Sequence, residues 1–282
     1  MFVEVLLADG LRNLAPLQLT PRERFNVFVG DNGQGKTNLL EAIFCIAALR
    51  SFRTSKLAEL VAFGRETATL AARVKKDDLT RTYEVELRQG GKTARIDGKA
   101  VRPLAKYFGG FNVVVFTPED LQLPRGSPGD RRRFLDRGVF NLDAGYLVVA
   151  SEYDKVVKTR NSVLRQHAEG RLARDTTEAM LDVYDEQLAK LAVSIVTSRV
   201  AFLERLRPEL SATFASITRT GITADARYRA STEGLDVAGI VDELRAKRPR
   251  DFHTLSTHVG PHRDDVVLML DEREAGSFAS QG

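Results

Sequence analysis

Eight consecutive residues carry the most specific chemistry in the chain. Gly30, Asp31, Asn32, Gly33, Gln34, Gly35, Lys36 and Thr37 fit the spacing GxxxxGK[ST]. Glycines let a backbone curl until several N–H groups point at one spot, and phosphate oxygens suit such converging donors. A lysine directly after the loop would reach β- and γ-phosphates, and the hydroxyl of Thr37 would hold Mg²⁺. The pattern reads as a site for a nucleoside triphosphate; the alternative is a glycine-rich turn with an exposed lysine.

Such a loop needs a strand before it and a helix after it. Phe25 to Val29 is a short apolar run leading into Gly30, and Gly35 opens an apolar-rich helix through Leu49 that contains Leu39, Leu40, Ile43, Phe44 and Ile46. Phe2 to Leu7 is another strand-like run. From Thr67 to Gly98 the pattern becomes alternating, with Leu70, Val74, Tyr83, Val85 and Leu87, and Gly90-Gly91 reads as a hairpin turn. This stretch predicts an antiparallel sheet. Val113 to Phe116 is continuous and apolar, as in a buried strand, and Pro118 ends it.

From about Leu142 to Ile217 the period turns helical. Tyr146, Ala150, Tyr153, Val157, Arg160 and Leu164 form one heptad stripe; Leu181, Tyr184, Leu188, Leu191, Ile195, Ser198 and Phe202 form another, with a break at Gly170. The expected product is an antiparallel helical pair on an α/β body. Strand-like residues resume at Ile222 to Tyr228 and Val266 to Leu270.

Composition narrows the class further. The 282 residues include 42 Lys+Arg against 38 Asp+Glu, a net charge of +4, with 43% hydrophobic residues. That is enough to bury a core in one large domain or two ordinary ones, and excludes disorder and fibre. A single cysteine cannot form an internal disulfide, the N-terminus lacks a signal-peptide pattern, and no apolar run approaches a membrane span. A cytoplasmic location is expected.

Several segments together resemble the RecF family of DNA replication and repair proteins. They are Leu11-Arg12-Asn13, the loop Gly30 to Ile43, Ser51-Phe52-Arg53, Thr117-Pro118-Glu119-Asp120-Leu121 with Arg132-Arg133-Phe134-Leu135-Asp136, and Thr257 to Asp265. Phe278 to Gly282 looks like the start of that family's ABC-type signature loop. The resemblance implies an α/β fold: a P-loop ABC-type ATPase head, related to chromosome-maintenance ATPases, with an antiparallel β subdomain and an inserted helical lobe. It divides the chain into a head, 1–141 with 218–282, and a lobe, 142–217. It also implies ATP and Mg²⁺ as cofactors, ATP-driven homodimerisation that clamps double-stranded or junction DNA without sequence preference, and RecR and RecO as partners in helping RecA load at gaps. Weak DNA-dependent ATPase activity belongs to the same expectation.

The Walker B strand, with its metal and catalytic carboxylates, would follow Gly282 in that pattern, so the chain is expected to be C-terminally incomplete and to turn over little ATP. Val266 to Leu270 followed by Asp271-Glu272 could itself be read as Walker B, or as a strand ending in a polar hairpin turn. His258 and His262 with Asp264 and Asp265 suggest a metal site, although Pro261 argues against a helix bearing both. Glu119 would contact Mg²⁺ by resemblance to a metal-sensing loop, with Asp120 as a helix N-cap otherwise. Arg12 and Asn13 would contact the nucleotide's base or sugar, or form a plain turn. Two basic runs, Arg125 with Arg131, Arg132, Arg133 and Arg137, and Arg245, Lys247, Arg248 and Arg250, could neutralise DNA phosphates or be paired with nearby acids. Two other functions compete: a phosphotransferase acting on a small substrate, and a fragment that binds nucleotide without hydrolysis.

Overall fold

The computed structural model describes residues 1–54 and 56–278, which form two compact units that divide between Phe116 and Thr117. The first unit is built on a six-stranded sheet in the order β2-β1-β3-β4-β5-β6. Its strands are β1 (Phe2–Asp9), β2 (Leu17–Leu19), β3 (Thr67–Lys76), β4 (Leu79–Arg88), β5 (Gly91–Ile96) and β6 (Lys99–Ala100). All the ladders are antiparallel, as the alternation required. One face of each long strand is apolar: Leu70, Ala72 and Val74 on β3 and Tyr83, Val85 and Leu87 on β4 are buried against helix α1 (Lys36–Ala48). The β4–β5 turn falls at Gln89-Gly90, since Arg88 pairs with Gly91. It lies one residue earlier than the Gly90-Gly91 reading, because Gly91 itself enters the ladder.

Neither Phe25 to Val29 nor Val113 to Phe116 joins a sheet among the described residues. Val27 and Val29 are 82% and 87% exposed, and Val114 is 91% exposed. An apolar run marks a segment suited to burial, but a strand also needs a neighbour for its N–H and C=O groups.

The second unit combines α2 (Pro128–Leu142), α3 (Tyr146–Ala168), α4 (Arg174–Thr218), β7 (Ala224–Arg229), α5 (Val237–Thr254), β8 (Asp265–Leu270) and β9 (Arg273–Glu274). Helices α3 and α4 are the expected pair, broken at Gly170, whose φ of 73° a glycine tolerates. Tyr146, Tyr153, Val157 and Leu164 on α3, with Leu181, Leu188 and Ile195 on α4, are buried as the heptads required. Arg160 is buried too. It donates to Asp185 and Asp251, each at 2.7 Å, and to Thr257, so a cation occupies a seam position by being paired on two sides.

Strand β8 pairs antiparallel with β7 and β9. Asp271 sits in the turn after β8 with φ 51°, and its carboxylate accepts from the Thr223 amide at 2.9 Å. The structure thus sides with the hairpin reading of Asp271-Glu272. Thr117, instead of Asp120, caps the short helical turn Pro118–Gln122; Asp120 reciprocates by accepting from the Thr117 amide at 2.8 Å, a capping box. Ser127 and Asp130 repeat the device at the start of α2. Glu119 is exposed beside it.

The first basic run is spent inside this unit. Arg131 grips Asp265 with two 2.8 Å hydrogen bonds, Arg132 donates to the Asp264 carbonyl at 2.6 Å, Arg133 pairs with Asp130, and Arg137 lies 3.5 Å from Asp120. In the second run Arg245 and Arg248 hold Asp182, Arg248 also holds Asp185, and Lys247 lies 3.5 Å from Glu243. Arg131, Arg132 and Arg248 are therefore held inside the unit, whereas Arg133, Arg245 and Lys247 pair at the surface with about half or more of their side chains exposed, and Arg250 is exposed with no ion pair among the described residues. Removing Asp265 leaves the largely buried Arg131 guanidinium without its carboxylate, with only the Gly126 carbonyl still accepting from it. Asp265→Ala is expected to cost about 2 kcal/mol in urea unfolding, whereas Arg133→Ala at the exposed pair is expected to change little.

His262 is sequestered in the same unit. Its Nδ1 meets the Tyr153 hydroxyl at 2.7 Å and its Nε2 the Thr257 carbonyl at 3.0 Å, so both ring nitrogens are engaged by groups other than a metal. Burial lowers its pKa from 6.5 to about 4. Between those values the unfolded chain binds the extra proton, so stability is full above pH 6.5 and falls as the pH drops toward about 4. His262→Gln should flatten that part of a stability-versus-pH curve.

Candidate nucleotide site

The glycine loop takes the shape its composition allows. Gly30, Gly33 and Gly35 have φ of 151°, 85° and 94°, all in the region that side chains resist. A Cβ at Gly30 would stand 2.3 Å from the Gln34 amide oxygen, and one at Gly35 would stand 2.7 Å from a Leu14 methyl. The Gln34 side chain closes the loop by accepting from the Asp31 amide at 3.1 Å. Asn32 lies exposed in the turn between them.

Lys36 opens α1, and its Nζ donates to the carbonyls of Gly30 and Asp31 at 2.6 and 2.7 Å, which draws the ammonium across the loop. The N-cap is Gly35, without a side-chain cap, and the first turn carries no acid. The amides of Gly33, Gln34, Gly35 and Lys36 meet no acceptor among the described residues. Thr37 is exposed, and its hydroxyl has no partner among them either. Open amides at a helix start, a cation beside them and a free hydroxyl one residue on are the groups that binding of an anion and a divalent metal would require.

A polar network braces the loop from behind. Asn13 donates to the Gly33 carbonyl at 2.8 Å, Asn38 to Asn13 at 2.6 Å, and Arg53 to Asn38 at 2.7 Å. Its anchor is Glu41, on the buried side of α1, with no solvent exposure. Arg12 clasps that carboxylate with bonds of 2.5 and 2.9 Å, Ser51 donates a third, and Arg53 lies 3.4 Å away. Burial raises the Glu41 pKa, but the bonds from Arg12 and Ser51 outweigh it and hold the carboxyl below its ordinary range. Hydrogen bonding to Glu41 likewise raises Arg12.

The structure therefore brings together Gly30 through Thr37 and adds Asn13 to them. Arg12 lies in a turn after β1, as the second of its two readings had it, with a φ of 47°, and its guanidinium is turned onto Glu41. Glu41, Asn38 and Ser51 were not legible as site residues. The available signal was an acid among Leu39, Ala42, Phe44 and Cys45, all on the buried side of one helix, where a lone carboxylate requires a cation.

The N-terminal domain model of RecF, RecN and SMC proteins matches residues 2–121. A "DNA replication and repair protein RecF" of Geobacter sp. (strain M21) is 39% identical over 281 residues, covering 97% of this chain and 74% of that protein. This chain belongs to the RecF family. The Myxococcus xanthus RecF (strain DK1622) is 42% identical over 287 residues, with 98% of this chain and 74% of that protein covered. The solved recombination mediator protein RecF with ATP, described in the RecFOR pathway, superposes with a TM-score of 0.91 at 30% identity over all of this chain and 76% of that one. The same coverage and score hold for the "RecF-ATPrS" structure. The chain thus spans about three quarters of the length of these RecF proteins. The fold is that of the RecF ATPase head. Phe278 ends the last described helical turn, and the remainder of the signature resemblance, Ala279 to Gly282, lies outside the described residues. No described helix is long and apolar enough to cross a membrane.

Proposed function

We propose that this chain is an ATP-dependent DNA-binding protein of replication and recombinational gap repair. The observation that carries the nucleotide part is the open cradle of amides from Gly33 to Lys36 at an uncapped helix start, in a chain whose relative has been solved with ATP. Gly30 to Lys36 would wrap the phosphates, Lys36 would neutralise the terminal ones, and Thr37 would hold Mg²⁺. Bound magnesium would offset the charge on the β- and γ-phosphates. Asn13, Asn38 and Arg53 keep the loop in register while Glu41 fixes the two arginines behind it.

In this reading ATP favours a homodimer of heads that holds double-stranded or junction DNA through its backbone, with RecR and RecO as partners in helping RecA load. The head comprises 1–141 and 218–282, and the helical lobe 142–217. DNA contact would use cations other than the paired arginines of α2 and α5, since those already have acceptors. The family membership supports the DNA role; a phosphotransferase would share the loop but have no use for DNA.

The test is anisotropy of a fluorescent duplex titrated with protein, with and without ATP and Mg²⁺, alongside sedimentation. Tightening of about tenfold with ATP, accompanied by a shift toward dimer, is expected. DNA affinity indifferent to ATP would overturn the proposal.

A further inference from the structure

The antiparallel sheet carries a second concave feature that the nucleotide reading does not use. Near the β3–β4 turn its apolar face opens into a depression of about 270 Å³, with Val74, Tyr83 and Ile96 beneath and Lys76, Arg81 and Lys106 around it. Lys76 and Arg81 continue the strand faces that bury Val74 and Tyr83, so the core side of the sheet ends in cations instead of closing. A neighbouring hollow of about 400 Å³ shares Arg81, Ile96 and Lys106 and adds Lys99 and Arg102.

These five cations are exposed, and none has an ion pair or hydrogen-bond partner among the described residues. Asp97, the acid lining the hollow, already accepts from the Thr82 amide at 2.8 Å. Tyr83 lies at the mouth of the depression. It is 3% exposed as a whole, and its hydroxyl, which has no protein partner among the described residues, keeps contact with solvent there. A Cβ on Gly110, another lining residue, would stand 2.1 Å from that oxygen, so only glycine leaves the hydroxyl room at the depression. A solvent-touching hydroxyl set in a concave apolar wall can exchange its water for a ligand's acceptor.

We propose that this cleft binds an acidic peptide segment of a partner protein, anchored by one apolar side chain. The floor takes the anchor, the Tyr83 hydroxyl donates to a backbone carbonyl or carboxylate beside it, and the cationic rim neutralises the flanking acids. Charge complementarity selects the sign of the partner. The concave apolar floor selects a peptide over nucleic acid: a phosphate backbone is convex and polar, and the rings of Tyr83 and Tyr107, 3% and 1% exposed, offer no face on which a base could stack.

The probe is a fluorescein-labelled peptide of aspartates flanking a single central phenylalanine, titrated against the full chain by anisotropy. Saturable binding is expected, weakened about tenfold in the Arg81→Glu, Lys106→Glu double variant and about tenfold when serine replaces the peptide's phenylalanine. Tyr83→Phe should weaken it a few-fold. ATP binding measured on the same samples should be unchanged, which separates failure of this cleft from failure of the nucleotide reading. No binding, equal binding by the phenylalanine-free peptide, or binding indifferent to the charge reversals would each overturn the proposal. So would displacement of the peptide by duplex DNA whose own binding the double variant abolishes, since the cleft would then be a nucleic-acid site.

Discussion

Lys36→Ala is expected to lower ATP affinity by about two orders of magnitude while leaving the fold intact. The ammonium is the one side-chain charge that the structure draws over the glycine loop, 2.6 and 2.7 Å from two loop carbonyls. Charge-assisted hydrogen bonds contribute about 1.5–3 kcal/mol each, and two bonds to phosphate oxygens, taken at the low end because the ammonium gives up its two carbonyl bonds to make them, would be worth roughly a hundredfold in Kd. Alanine also frees the Gly30 and Asp31 carbonyls and loosens the loop. Lys36→Arg keeps the charge but replaces a compact ammonium with a broad planar fork, so it should recover only part of the affinity. Anisotropy of a fluorescent ATP analogue measures both variants, with circular dichroism as the control for folding. Near-normal nucleotide binding by a folded Lys36→Ala protein would mean that the loop is not the nucleotide site.

Glu41→Ala should produce the second large effect, on stability and nucleotide binding together. The carboxylate is fully buried and receives Arg12, Ser51 and Arg53. Its removal strands two guanidinium groups beside each other and empties a polar pocket on the underside of α1. Breaking a buried ion pair from one side costs about 3–5 kcal/mol; since Arg12 and Arg53 keep 20% and 43% side-chain exposure, water relieves part of that. About 3 kcal/mol, or roughly 10 °C of Tm, is the expected loss. Glu41→Gln retains the shape and should lose about half as much. Because the carboxyl is held below its ordinary pKa, its stabilisation is complete above the ordinary carboxylate value and disappears as the pH falls through the lowered one. The acid limb of the unfolding curve should therefore flatten in Glu41→Gln. An ATP affinity that falls along with stability, although Glu41 lies behind the loop, would trace the relay through Arg53, Asn38 and Asn13 to Gly33.

The parts legible in the sequence were those where one period ruled. The alternation from Thr67 to Gly98 predicts three strands because one face is buried and the other wet, and the heptads of α3 and α4 survive because each helix keeps one stripe buried along its length, even where that stripe passes from one apolar cluster to the next. The loop was readable because its glycines are required by backbone angles. Helix α5 was missed: it is mostly polar, Pro249 interrupts its period, and only Ile240, Val241, Leu244 and Asp251 are buried. Hydrophobicity alone suggests strands at 25–29 and 113–116, but it reports a preference for burial and says nothing of the partner that must provide it. Charge runs leave two readings open for a related reason. Spacing along the chain locates Arg131, Arg132 and Arg133 together, whereas only the fold reveals that two of them face acids or carbonyls more than a hundred residues away.

That last contact has a consequence for how the protein is made. Arg131 and Asp265 are 134 positions apart, and Arg132 and Asp264 are 132 apart. At ribosomal speeds of about 5–20 residues per second, α2 emerges roughly ten seconds before its counterparts. Throughout that interval it presents unneutralised guanidinium groups, in a cell rich in RNA, so the nascent chain should linger on polyanions until β8 leaves the exit tunnel and takes its place.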